Sequence, residues 1–135
     1  MTAFRLPRSS RLKRQQLIRP LFDRDRDDVH SVAHGCVRLI YRLVPGTPNG
    51  PCISQVGFAA GRGVRRAIDR NRIKRQLREV YRLNQSTLAE RNRCEKHTLT
   101  MMVLFRGRPE QARSCVPRDL PVALEKASRL WRNHE

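Results

Sequence analysis

The stretch that most limits how this chain can fold is residues 65–82, RRAIDRNRIKRQLREVYR. It contains neither proline nor glycine, and its Arg, Lys, Gln, Glu and Leu are good helix formers. The spacing predicts a helix that starts between Ala67 and Arg70. At roughly 100° per residue, Ile73, Leu77, Val80 and Tyr81 fall on one narrow arc that can bury against a sheet. Asn71, Lys74, Arg75, Arg78 and Arg82 spread over the surface beside it. Arg70 falls in line with the apolar arc. A buried, unpaired guanidinium is very costly, so the start of the helix is expected to project past the sheet edge and leave Arg70 at a surface. Against Arg65, Arg66, Arg70, Arg72, Lys74, Arg75, Arg78 and Arg82 stand only Asp69 and Glu79. A charge run is ordinarily a solvated helix face. Here one sign dominates and almost no acid lies four residues away to relieve it. A face that repels itself suits a polyanionic partner.

The whole chain carries the same bias: 29 Lys plus Arg against 12 Asp plus Glu, a formal charge of +17 over 135 residues. That length suits one domain with one modest core. We read residues 1–10 as a flexible basic tail and residues 11–133 as a single domain. The charge points to nucleic acid or to an anionic membrane surface. Membrane is the weaker choice, because no apolar run approaches the roughly 20 residues of a spanning helix. The N-terminal MTAFRLPRSSRLKRQQ lacks the apolar core of a secretory signal. Arg far outnumbers Lys, and its planar fork and stacking face suit folded RNA. A genomic composition bias would give the same excess. Cys36, Cys52, Cys94 and Cys115 form no CxxC pair, which argues against zinc. Without a secretory signal they read as reduced thiols in a cytoplasm.

Along the chain, Ser9 or Ser10 can cap a short helical segment with Leu12, Leu17, Ile18, Leu21 and Phe22 on its apolar side. Pro20 either breaks that helix or begins one. Asp23 to Asp28, DRDRDD, reads as a solvated polar turn, and His30 and His34 as loop or strand-edge residues. In Val37 to Val44, Val37, Leu39, Tyr41 and Leu43 alternate with Arg38, Ile40 and Arg42, which predicts a strand. Pro45 to Pro51 reads as a hairpin connection to a second strand, Ile53 to Ala60. After the basic helix, residues 84–97 read as a polar connector with some helical character. Leu99 to Phe105 is a near-continuous apolar run, as in a strand buried on both faces. Leu120, Ala123, Leu124, Ala127, Leu130 and Trp131 mark a C-terminal helix, with Asp119 expected as its cap. This order predicts an α+β fold, helices layered on a small mixed sheet. Arg38 and Arg42 would make a basic floor on the sheet's other face.

No nucleophile elbow, phosphate-binding Gly-rich loop or paired-histidine zinc motif is present, and no acid or histidine is placed for acid–base work. The Arg70-Asn71-Arg72-Ile73-Lys74-Arg75 stretch, with Ala67 before it and Arg78 after, resembles the RNR signature of the bacterial ribonuclease P protein component. Arg11-Leu12-Lys13-Arg14 with Phe22 is similar to that family's opening, and Val56-Gly57-Phe58 to its strand before the signature. Leu99 to Arg106 resembles its late strand, and Leu124-Glu125-Lys126 with Leu130-Trp131-Arg132 its final helix. The resemblance covers roughly residues 8–132.

The resemblance implies an α–β sandwich with a β-α-β crossover around the basic helix, left-handed against the usual rule. It implies a protein that binds a large catalytic RNA and the 5′ leader of precursor tRNA. Cleavage would be carried out by the RNA, with magnesium held mainly by that RNA. No protein oligomer is required. By position, Arg65, Arg66, Arg70, Arg72, Lys74, Arg75 and Arg78 would contact the catalytic RNA. Phe22, Arg38, Tyr41, Arg42, Arg62 and Asn71 would line the leader cleft. The chain departs from the family in two places. Ile18 stands where an aromatic is usual, and Arg62-Gly63 stand where the family has paired lysines. The competing readings are a ribosomal or other structural RNA-binding protein and, more remotely, a free-standing nuclease or a DNA-binding protein.

Overall fold

A computed structural model of the protein describes residues 18–23, 27–45, 55–61, 63–91 and 97–132. Its strands are β1 (Val29–His34), β2 (Val37–Pro45), β3 (Gln55–Ala60) and β4 (His97–Phe105). Its helices are α1 (Ala67–Arg91) and α2 (Ala112–Arg132). Short 3-10 turns cover Arg19–Phe22 and Pro109–Gln111. The sheet order is β1-β2-β4-β3. β1–β2 and β2–β4 are antiparallel, whereas β3–β4 is parallel. A parallel pair needs a crossover of a dozen residues or more, and the basic helix α1 supplies it. The expected α+β architecture is therefore present, with the crossover where the resemblance puts it.

The expected hairpin between β2 and β3 does not form. β4 lies between them, paired with both. Thr100, Met101, Met102, Val103 and Phe105 are all buried. A strand apolar on both faces takes the centre of a sheet, where both faces are covered. Residues 46–54, which join β2 to β3, lie outside the described residues, as do the N-terminal tail and its capping serines. β1 pairs on one side only, and His30 and His34 sit on this edge strand.

Strand alternation separates two faces. On one, Val37, Leu39 and Tyr41 of β2 and Met101, Val103 and Phe105 of β4 meet Ile73, Leu77 and Tyr81 of α1. Ala112, Cys115, Val116, Leu120, Ala123, Leu124 and Ala127 of α2 complete this main core. The apolar arc of the basic helix is thus buried as its spacing predicts. α1 runs on to Arg91, past Arg82 and through most of the stretch read as a polar connector with some helical character. On the other face, Ile40 and Met102 form a small cluster with Leu21. Leu21 belongs to the Arg19–Phe22 turn, in which Pro20 occupies the first turn. Proline suits that place, since an N–H there has no intrahelical partner.

Asp119 is not a helix cap. α2 already begins at Ala112, so Asp119 lies inside it, 3% exposed. Its Oδ2 accepts the backbone N–H of Cys36 at 3.1 Å, and its Oδ1 accepts Arg118 Nε at 3.0 Å. The carboxylate therefore ties the β1–β2 turn to α2. Gly35 in that turn has φ +58, and a Cβ there would lie 2.1 Å from Asp119 Oδ2. Only glycine takes this conformation without strain and leaves room for the carboxylate. Cys36 and Cys115 are buried free thiols, while Cys52 and Cys94 lie outside the described residues.

Candidate nucleic-acid interface

The outer surface of α1 and the turn before it carry Arg65, Arg66, Arg70, Asn71, Arg72, Arg75 and Arg78 exposed, with Lys74 half-buried. Ile73 and Leu77 alternate with them and are fully buried, so the core fixes which way the arginines point. Arg70 is exposed despite its alignment with the apolar arc, as expected. Two acids relieve the charge: Asp69 Oδ1 lies 3.2 Å from Arg72 Nη2, and Glu79 pairs with Arg82. Among the described residues no ion pair holds Arg65, Arg66, Arg70, Lys74, Arg75 or Arg78. Arg78 lies over the Phe58 ring, 5.9 Å from its centroid, a cation–π contact that steadies the side chain and leaves its charge unneutralised. Ile68, 75% exposed, sets an apolar spot among these charges.

The opposite sheet face holds some of the residues assigned to the leader cleft. Arg38 is exposed there. Arg42 donates through Nε to Asp28 Oδ2 at 2.6 Å. The acidic run read as a solvated loop thus supplies a specific partner, and Arg38 carries the open charge of the floor. Leu21 anchors the Arg19–Phe22 turn on Ile40 and Met102, and Ile18 packs against the same cluster. Phe22, the next residue, is 51% exposed. Tyr41 is a correction. Its alternation with Arg38 and Arg42 puts it on the helix-covered face, where it is 0% exposed and offers no surface to a leader. Burial pushes its phenol up from the ordinary value. Arg62 lies outside the described residues.

The sequence reading missed a groove between the packed helices α1 and α2. One hollow of about 300 Å³ is lined by Arg72, Gln76, Pro109, Glu110 and Arg113. A second, of about 440 Å³, is lined by Arg75, Gln76, Glu79, Val80, Arg113 and Pro117. Arg113 is exposed and in no ion pair among the described residues. Nothing in a linear reading sets it beside the basic helix, because that depends on how α2 docks.

One cluster has the elements of a metal site. Donor atoms of Cys36, Cys115 and Asp119 lie within 4.8 Å of one another. Arg118 already occupies the carboxylate, and burial, reinforced by Cys115, pushes the Cys36 thiol well up. A buried thiol held in its protonated form packs as a small apolar group. No helix among the described residues is long and apolar enough to cross a membrane.

An α–β sandwich with a basic crossover helix on its surface carries the electrostatic footprint expected of the nucleic-acid-binding class. The chain belongs to the ribonuclease P protein family: the family model described as Ribonuclease P matches residues 6–127. The ribonuclease P protein component of Natranaerobius thermophilus is 42% identical over 55 residues, 41% of this chain and 44% of that protein. The component of Desulfovibrio desulfuricans is 34% identical over 88 residues, 65% of this chain and 62% of that protein. The chain thus spans roughly half the length of these two relatives. The ribonuclease P protein from Thermotoga maritima has the same fold, with a TM-score of 0.62 at 21% identity over 86% of this chain and 96% of that one.

Proposed function

We propose that this chain is the protein subunit of ribonuclease P, acting in the cytoplasm with a catalytic RNA to remove the 5′ leader from precursor tRNA. The observation that carries this reading is the exposed, largely unneutralised arginine face of α1, which bears the Arg70–Arg75 signature in a member of this family. Arg65, Arg66, Arg70, Arg72, Lys74, Arg75 and Arg78 would meet the RNA backbone. Guanidinium groups suit phosphates because their paired N–H donors match two oxygens at once. The leader would lie on the opposite sheet face, between Arg38 and the exposed Phe22 ring; Asn71, exposed on α1, lies on the other side of the sheet and would join the contacts to the catalytic RNA. Magnesium would be held mainly by the RNA, since the α1 face offers hydrogen-bond donors rather than oxygen ligands. The protein's part is then binding and positioning, and the chemistry belongs to the RNA.

The test is reconstitution. A bacterial ribonuclease P RNA and a precursor tRNA are mixed at low magnesium with and without the protein. Cleavage at the mature 5′ end is expected only when RNA and protein are both present. No stimulation, or cleavage by RNA-free protein, overturns the proposal.

A further inference from the structure

Gln76 stands where the two hollows between α1 and α2 meet, and it lines both, as does Arg113. Its Oε1 is buried and has no hydrogen-bond partner among the described residues. A buried acceptor left unpaired is unfavourable. Pro117, on the same groove, has no N–H to give the Arg113 carbonyl one helical turn back. The groove therefore offers a buried acceptor in want of a donor, Gln76 Oε1, set among the guanidinium groups of Arg72, Arg75 and Arg113. Of the two acids on its walls, Glu79 is engaged by Arg82, and Glu110 is exposed. Val80, half-buried, and Pro117 supply an apolar wall.

An occupant must bring negative charge for the arginines and a hydrogen-bond donor for Gln76. A phosphodiester alone brings only acceptors. A ribonucleotide unit brings both, because its 2′-hydroxyl donates beside its phosphate, and that hydroxyl separates RNA from DNA. We propose that the α1–α2 groove is an RNA-contact site beyond the exposed face of α1. In it Arg113 and Arg72 hold a backbone phosphate, and Gln76 accepts from the neighbouring 2′-hydroxyl. This rests on the reading above that α1 meets the catalytic RNA, and it extends that contact onto α2.

The experiment measures binding of a bacterial ribonuclease P RNA to the full chain and to Arg113→Ala, Gln76→Leu and, on the exposed α1 face outside the groove, Arg70→Ala, across a salt series. Arg113→Ala is expected to weaken binding about tenfold, the lower end for a charge-assisted contact. It should also reduce the salt slope by about one counterion. Gln76→Leu should weaken binding severalfold with no change in salt slope, since it removes a neutral contact. Scattered 2′-deoxy substitution of the RNA should reveal positions that weaken binding to the parent protein but not to Gln76→Leu. If Gln76→Leu melts earlier than the parent, Gln76→Glu serves in its place. That variant keeps the size and adds repulsion, and it should bind more weakly still. If Arg70→Ala loses affinity while the groove variants bind like the parent, the groove inference is overturned and the α1 reading stands. If the parent does not bind the RNA, or Arg70→Ala binds as well as the parent, the underlying reading fails with it.

Discussion

Arg72 and Arg75 sit on the same helix surface but are held differently. Arg72 is tied to Asp69, whereas Arg75 has no acid partner among the described residues. An exposed i,i+3 pair of this kind is worth about 0.3–0.5 kcal/mol, so Arg72 must give up little to reach a phosphate. Arg75→Ala is expected to weaken binding to the catalytic RNA about tenfold, as one charge-assisted hydrogen bond would. Arg72→Ala should cost about half as much affinity, once the loss of its partner is deducted. Both variants should keep the parent's melting temperature, which circular dichroism measures directly, because neither side chain is in the core. Early melting of Arg75→Ala would mean that it is structural. At this scale the sequence was informative wherever charge and spacing decide. The arc of Ile73, Leu77 and Tyr81 is buried as read, and Arg70 is exposed as read. Tyr41 shows where a borrowed role misleads. Alternation grouped it with Val37 and Leu39, and that parity, not the resemblance, describes where its ring lies.

Between elements, the β1–β2 turn and α2 are joined through one carboxylate. Arg118, and after it the Cys36 N–H, hold the Asp119 carboxyl down at about 2 against the upward push of burial. A folded-state pKa below the unfolded value of about 3.9 gives stability that is fully present above that value. The contribution is lost as pH falls through the folded pKa. Melting temperature should therefore drop between about pH 4 and pH 2, and Asp119→Asn should lack the part of that drop which Asp119 causes. An unchanged acid profile in Asp119→Asn would show that other carboxylates carry it. Leu77→Asp is the companion test for α1. It puts an unpaired charge at a 0%-exposed site, and such a burial costs more than a domain's usual margin of about 5–15 kcal/mol can easily absorb. No cooperative melt should remain. The order of strands was the least legible feature. Whether β2 pairs with β3 or with β4 depends on which strand takes the centre, and local turn residues at Pro45 to Pro51 do not decide that. Asp119 was misread for a related reason. An acid ahead of an apolar run is a cap signal, but the helix had started earlier, through Ala112, Cys115 and Val116, whose burial is visible only in three dimensions.

Across the whole molecule, the sheet separates two surfaces that the proposed function uses for different RNAs. The α1 face lies on the helical side, and Arg38 and the Arg19–Phe22 turn lie on the other. A protein that only scaffolds RNA should help precursor and mature tRNA equally, whereas a leader-binding face should favour the precursor. Phe22 is the discriminating residue. It is 51% exposed, while its neighbour Leu21, 2% exposed, anchors the turn. An exposed ring beside a basic floor can stack on a single-stranded base, worth roughly 1–3 kcal/mol per base. The lower end applies here, because Ile18 adds no second ring to the stack. Phe22→Ala is therefore expected to lower the holoenzyme's affinity for precursor tRNA about fivefold, the equivalent of about 1 kcal/mol. Affinity for mature tRNA and for the catalytic RNA should stay close to the parent's. Leu21→Ala is the control for packing: it should lower the melting temperature, by about 2–5 kcal/mol of lost core stability, rather than discriminate between substrates. The measurement is a pair of dissociation constants, with and without a leader of several nucleotides, for each variant. Equal losses on the two substrates in Phe22→Ala would remove the leader from this face. Retained preference for the precursor in a stably folded Phe22→Ala would leave Arg38 as the group to test next.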